Sequence, residues 1–350
     1  MRTLPARKYA DTAKYLWYNY RHRDQGIAYP FYASYKINLT CNFSCRFCNL
    51  WKEQDPGLPT NDVFKVLDNI GKSSIFLLSM EGGDPLLRPD FMEILEYTRR
   101  KPFYLMVTTS ERGMTTNYPM RKYCKYIDFL HISIDEGHVN LEMFDELEEY
   151  VAFGSSVCVQ TVVTNKDIDR LDYKVRRCWE AGAKIVIMPA VHLEGTKNHF
   201  PEFAAFREKV MALKKEYPNV IITPDNFFTN IERGSCSSSS IVIDADGSLY
   251  YPCRVLPHKA INLTESSLTE YVRSVQAQQM RDVMKVCEKH CGWYQYFATS
   301  SYTSLAESYN SIRPYFGEIL GKHLGPRKGV VRSAPVRIAP VQGIEQPNVQ

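Results

Sequence analysis

The sequence predicts an α/β fold in which a parallel sheet is followed by a smaller, cysteine-bearing appendage. Three observations predict it. Six apolar, strand-like stretches each precede a helix-like stretch between residues 34 and 217. Such alternation builds a parallel sheet with helices packed on it. Near Asp225 the periodicity gives way to turn-rich sequence. Seven of the ten cysteines gather in two groups, one at the start of the alternating region and one after it ends.

The elements run in order. Ser34–Asn38 reads as a strand and Thr60–Ile70 as a helix, opened by Thr60-Asn61-Asp62. Strand Ser74–Met80 and helix Asp90–Arg100 follow, the helix announced by Pro89-Asp90. Next come strand Tyr104–Thr108, a short helix near Pro119–Lys125 and strand Phe129–Ile134. Helix Leu141–Phe153, strand Val157–Val163, helix Ile168–Ala181 and strand Lys184–Met188 continue the pattern. Helix Pro201–Tyr217 and a short strand Val220–Thr223 close it. This spacing suits either a partial barrel or an open doubly wound sheet. Beyond it, two short strands flank the turn Asp244-Ala245-Asp246-Gly247 as a hairpin, and Thr264–Val286 reads as one or two helices.

Composition narrows the function. A chain of 350 residues with 44% hydrophobic and 23% charged residues has enough apolar material for a sizeable core. The net charge of +4 is too small to indicate nucleic acid as a partner, and its excess lies mostly at the termini. No apolar run reaches the ~18 residues of a membrane span, and Tyr9–Tyr20 is too interrupted by charge for a signal peptide. The expected location is the cytoplasm, where clustered cysteines point to metal rather than to disulfides. Tyr9, Ala13, Leu16, Trp17 and Tyr20 share one face of an N-terminal helix whose other face is basic. Such a helix either packs on its parent domain or, through residues 1–26, makes a peripheral membrane contact.

The first cysteine group, Cys41, Cys45 and Cys48, lies just beyond the first strand, where a parallel sheet presents its active face. Three thiolates on one loop can hold three irons of a [4Fe–4S] cube and leave the fourth open to a small molecule. A zinc site is the other reading of these cysteines, although no nearby histidine completes its usual set. The second group is Cys236, Cys253, Cys287 and Cys291, a complete four-thiolate set suited to a closed cluster or to zinc. His290, between two cysteines, is expected to be a bystander, and Cys124, Cys158 and Cys178 to be small core residues.

The pattern C-x3-C-x-aromatic-C after a first strand resembles the signature of the radical S-adenosylmethionine (SAM) superfamily. Gly82-Gly83-Asp84-Pro85, directly after the second strand, is similar to that family's Gly-Gly-Glu-Pro motif, with aspartate in place of glutamate. The resemblance implies that Gly82, Gly83 and Asp84 hold the amino group of SAM. It implies that Phe47 lies near the adenine and that Ser133, at the end of the fourth strand, contacts the cofactor. It also implies a partial (β/α)6 TIM-type barrel with a small C-terminal iron–sulfur domain.

The second cysteine group, with Gly247 in the hairpin between Cys236 and Cys253, resembles the auxiliary-cluster domains called SPASM or twitch. Together the resemblances divide the chain into a basic N-terminal segment (1–31), a radical SAM core (32–225), an auxiliary-cluster domain (226–300) and a C-terminal helix with a disordered tail (301–350). The implied activity is reductive cleavage of SAM at a [4Fe–4S] cluster to a 5′-deoxyadenosyl radical that modifies an unactivated carbon. The electron comes from a low-potential donor such as ferredoxin or flavodoxin. A short likeness of Cys287–Ala298 to the hopanoid adenosyltransferase group suggests a small-molecule or lipid substrate, an isoprenoid among them. The alternatives are a peptide- or sugar-modifying maturase and, in another class, a non-catalytic zinc-binding interaction protein.

Overall fold

A computed structural model describes residues 2–191, 199–234, 236–256, 258–289, 291–299 and 306. His290 and nearly all of the expected 301–350 segment lie outside these residues. Six strands, β1 (Tyr32–Asn38), β2 (Leu77–Gly82), β3 (Tyr104–Thr109), β4 (Phe129–Ser133), β5 (Ser156–Val163) and β6 (Lys184–Pro189), pair in parallel. They stand in the sheet in their order along the chain. A doubly wound sheet reverses direction at a switch point and so carries helices on both faces. Here no reversal occurs, the crossovers all fall on one side, and the sheet curls as a partial barrel.

The strands show why. Ala33, Tyr35 and Ile37 of β1, Leu78 and Met80 of β2, Leu105 and Val107 of β3, and Leu130 and Ile132 of β4 all belong to one apolar core. That core also holds Val63, Val66, Leu67 and Ile70 of the helix Thr60–Gly71. The alternate residues Ser34, Lys36, Ser79, Glu81, Thr108, His131, Ser133 and Gln160 point to the other face, the lumen. Fully buried strands thus carry a polar stripe, which a closed apolar sandwich would not accept.

The helices, in order, are α1 (Ala6–Arg21), α2 (Thr60–Gly71), α3 (Phe91–Thr98), α4 (Met114–Asn117), α5 (Met120–Tyr123), α6 (Leu147–Val151), α7 (Leu171–Ala181), α8 (Phe203–Glu216) and α9 (Asp225–Glu232). α9 was not expected, and the expected strand at 220–223 is only a bridge between Ile185 and Ile221. β7 (Ser240–Ile243), β8 (Ser248–Tyr250) and β9 (Lys259–Asn262) follow, then α10 (Leu268–Val272), α11 (Val275–Lys285) and α12 (Tyr294–Ala298). β7 pairs in parallel with β1, Tyr32 opposite Ser240, so the hairpin extends the same sheet.

The face on which α1 docks differs from the aromatic stripe. Lys8, Thr12 and Asn19 are buried, whereas Tyr9, Ala13 and Trp17 are exposed. Polar anchoring explains it: Lys8 Nζ donates to the Ser73 carbonyl at 3.0 Å, and Asn19 makes a reciprocal pair with the backbone of Tyr29 at 2.8 and 3.1 Å. Among the described residues no helix is long and apolar enough to cross a membrane.

Candidate active site

The loop leaving β1 carries the first cysteine group. Cys45 is buried, Cys41 and Cys48 half-buried, and the three thiols lie within electrostatic reach of one another. Burial pushes the Cys41 thiol up to about 11 and raises Cys45 and Cys48 as well. Around Cys48 this is opposed by the N–H groups of Leu50, Asn49 and Trp51 and by the Lys36 ammonium. A bound iron reverses this preference outright, since a coordinating thiol is deprotonated.

The three cysteines line a cavity of about 180 Å³ with Phe43, Phe47, Glu81, Gly82, Gly83, Thr108, Ser110, Ser133 and His138. The ends of β1 to β4 thus converge on one chamber at the carboxyl side of the sheet. Phe47 is held there by its neighbours. Its ring stands edge-on to His138 at 5.7 Å, and a Cβ on Gly137 would lie 1.9 Å from the ring. Gly82 and Gly83 are required by crowding: their α-carbons pass the backbone of Asn38 and Thr40 with no room for a side chain. Gly83 N–H donates to Asn38 O at 3.0 Å, and Asp84 N–H to Thr40 O at 2.7 Å, which straps the second loop to the first.

The Asp84 side chain turns away from the cavity. It is fully buried and outside the cavity lining. Its carboxylate accepts from Thr109 Oγ1 at 2.8 Å, Ser110 N–H at 2.7 Å and Leu86 N–H at 3.0 Å. The shorter aspartate side chain is therefore spent on pinning the loops after β2 and β3 together. Burial pushes its carboxyl up to about 7, against these hydrogen bonds. The carboxylate that faces the cavity is Glu81, accepting from Ser34 and Ser79 and raised by burial.

His138 is a second residue the motif reading missed. Its Nδ1 lies 2.8 Å from Asp135 Oδ1, and Asp135 also accepts from the backbone N–H groups of His138 at 2.9 Å and Val162 at 3.1 Å. Burial raises the Asp135 carboxyl, but these partners outweigh it and hold the group below its usual value. The one sequence signal was the Asp135-x-x-His138 spacing at the end of a strand.

The second cysteine group also assembles. Cys236 precedes β7, Cys253 follows β8, and Cys287 and Cys291 follow α11. The Cys236 thiol, raised by burial to about 12, is within electrostatic reach of Cys253, Cys291 and Cys287. α12 closes this group: Tyr296 accepts at its hydroxyl from Arg254 N–H at 2.7 Å, and its carbonyl accepts from Ser237 N–H at 3.1 Å. Among the described residues no three Cys, His, Asp or Glu side chains are gathered as a site for a single metal ion.

The profile of the radical SAM superfamily matches residues 35–207, from β1 into the start of α8. The chain belongs to the radical SAM superfamily. Members of that superfamily are enzymes that use a [4Fe–4S] cluster and SAM. The mycofactocin maturase MftC of Mycobacterium tuberculosis (strain CDC 1551 / Oshkosh) is 24% identical over 164 residues, 43% of this chain and 42% of that protein. The match thus spans less than half of this curated relative. Among solved structures, Streptococcus suis SuiB superposes with a TM-score of 0.60 at 14% identity, covering 84% of this chain and 78% of that one. The anSMEcpe structure with bound AdoMet and Cp18Cys peptide gives 0.57 at 13% identity, covering 84% and 98%. Likeness at this identity shows the shared partial-barrel fold.

Proposed function

We propose that this radical SAM enzyme modifies a peptide, with its catalytic cluster on Cys41, Cys45 and Cys48 and an auxiliary [4Fe–4S] cluster on Cys236, Cys253, Cys287 and Cys291. The observation that carries the reading is the gathering of seven cysteines into two groups on one sheet, the first lining the cavity with Gly82, Gly83, Phe47 and Ser133. When bound, the first cluster supplies an electron that cleaves SAM to methionine and a 5′-deoxyadenosyl radical. A low-potential donor such as ferredoxin or flavodoxin provides that electron.

The chain's own groups do the rest. The Gly82 and Gly83 backbone and the Glu81 carboxylate are acceptors for the ammonium of SAM, now that Asp84 is committed elsewhere. Phe47, Phe43 and His138 form an aromatic wall suited to the adenine. The buried lumen keeps water away from a reactive carbon centre, which is the protein's share of cofactor chemistry.

A lipid or isoprenoid substrate is replaced here by the peptide alternative. The maturase name of the curated relative favours it. So do the peptides bound in solved structures of the same fold, the precursor peptide SuiA on SuiB among them. The test is anaerobic reconstitution with SAM, dithionite and short peptides encoded beside the gene. The expected result is 5′-deoxyadenosine formation together with a mass change on one peptide. SAM cleavage that leaves every peptide unchanged, while a lipid extract acquires the new mass, would reject the reading. A colourless, zinc-loaded protein would reject the cluster assignment.

A further inference from the structure

Lys36 lies on the lumen face of β1 with 5% of its surface exposed. Its ion pair is with Asp244 Oδ1 at 3.9 Å, beyond hydrogen-bond range, and among the described residues its ammonium has no hydrogen-bond acceptor. Its register neighbour on β2, Glu81, accepts from Ser34 and Ser79 instead. Asp244 is shared as well: Oδ2 accepts from the Tyr250 hydroxyl at 2.9 Å and lies 3.4 Å from Lys259 Nζ.

Over the Tyr250 ring, 4.2 Å from its centroid, sits the guanidinium of Arg254, whose Nε is buried without a partner. Arg254 and Lys36 repel one another, and Lys36 also lies within electrostatic reach of Cys48. Lys36, held only by a long ion pair, and the half-buried Arg254, with one unpartnered N–H, thus connect Cys48 of the first group to Cys253, the residue before Arg254, in the second. Buried charge in this condition is costly unless something completes it. An ammonium beside a planar guanidinium fork is the arrangement that a carboxylate completes.

We propose that Lys36 and Arg254 form a subsite for the carboxylate of an Asp or Glu side chain in the peptide substrate, held between the two cysteine groups. This rests on the peptide reading above. The carboxylate of SAM is the competing occupant and is separated by the test.

The test titrates the anaerobically reconstituted full chain by ligand-observed NMR, first without SAM and then with SAM at saturation. The probes are N-acetyl-glutamate N-methylamide and its glutamine counterpart, which differ by one charge. The acidic probe is expected to bind about tenfold more tightly. Lys36→Met and Arg254→Gln each abolish that preference, while Arg254→Lys restores part of it. Equal binding of the two probes, or an unchanged preference in both variants, overturns the proposal. Displacement of the acidic probe by SAM does so too, since the cations then serve the cofactor. If Lys36→Met fails to fold, Arg254→Gln decides alone. Preference for the acidic probe with no peptide modified overturns the peptide reading and leaves the carboxylate subsite standing; modification without preference does the reverse.

Discussion

Gly83 passes so close to Thr40 that a Cβ at this position would lie 1.9 Å from the Thr40 carbonyl oxygen. The loop that follows β2 and the loop that carries Cys41, Cys45 and Cys48 are thereby one packed unit. Gly83→Ala must push the cysteine loop aside. A shift of about 1 Å at a reacting geometry can cost ~100-fold in rate. We expect SAM cleavage in this variant to fall by about that factor, read as 5′-deoxyadenosine per minute in the reconstituted protein. Wild-type turnover would show that the crowding has no bearing on the site.

The two cysteine groups are expected to load independently. Wild-type protein should hold about eight irons per chain, and Cys45→Ala and Cys253→Ala about four each. Cys45→Ala should make no 5′-deoxyadenosine at all. Iron and labile sulfide assays check the first statement, and chromatography of the reaction mixture the second.

Asp84 makes stability depend on pH. Burial places its folded value at about 7, above the ordinary aspartate value of 3.8. The folded state therefore binds this proton more tightly than the unfolded state does. The stabilisation that follows is complete below about pH 4 and is lost as pH rises through 7. Denaturant unfolding of wild type and Asp84→Asn at pH 5 and pH 8 should show the wild-type advantage shrinking at the higher pH. An advantage that grows would contradict the assignment.

Asp135 is expected to act through His138. Asp135→Ala frees the imidazole and strips two half-buried N–H groups of their acceptor, at a cost of about 1 kcal/mol for each bond lost. The melting temperature should fall, and the KM for SAM should rise more than kcat falls. Asp135→Asn, which keeps one acceptor oxygen, should recover part of both. A KM unchanged in a stably folded Asp135→Ala protein would remove His138 from the SAM wall.

Much of the fold was legible because the parallel strands and the amphipathic helices carry strong periodicities. The lumen was also written in the sequence, in the alternation of Ser34, Lys36 and Asn38 with Tyr35 and Ile37. The apolar runs on either side of these polar positions mask it. Other features left no local trace. β9 is short and half-buried, and its two apolar residues, Ala260 and Ile261, are adjacent rather than alternate, so Lys259–Asn262 shows no apolar stripe. α9 falls where turn chemistry was expected. The docking face of α1 was set by Lys8 and Asn19 finding distant backbone partners, which no periodicity reveals. The motif around Asp84 records which residue is present and not which way it points. Only Thr109 and Ser110, brought from the next strand, decide that it turns inward.

The pairing of β7 beside β1 also bears on biosynthesis. One edge of β1 finds β2 within the first half of the chain, but the other waits for Ser240–Ile243, some two hundred residues further on. Until the ribosome delivers that strand, β1 presents an unpaired row of N–H and C=O groups beside an apolar core. An exposed edge of this kind recruits other strands indiscriminately. A fragment ending near residue 225 is thus expected to aggregate, however complete its barrel strands. The nascent chain depends on its last strands, or on a chaperone standing in for them, to stay alone.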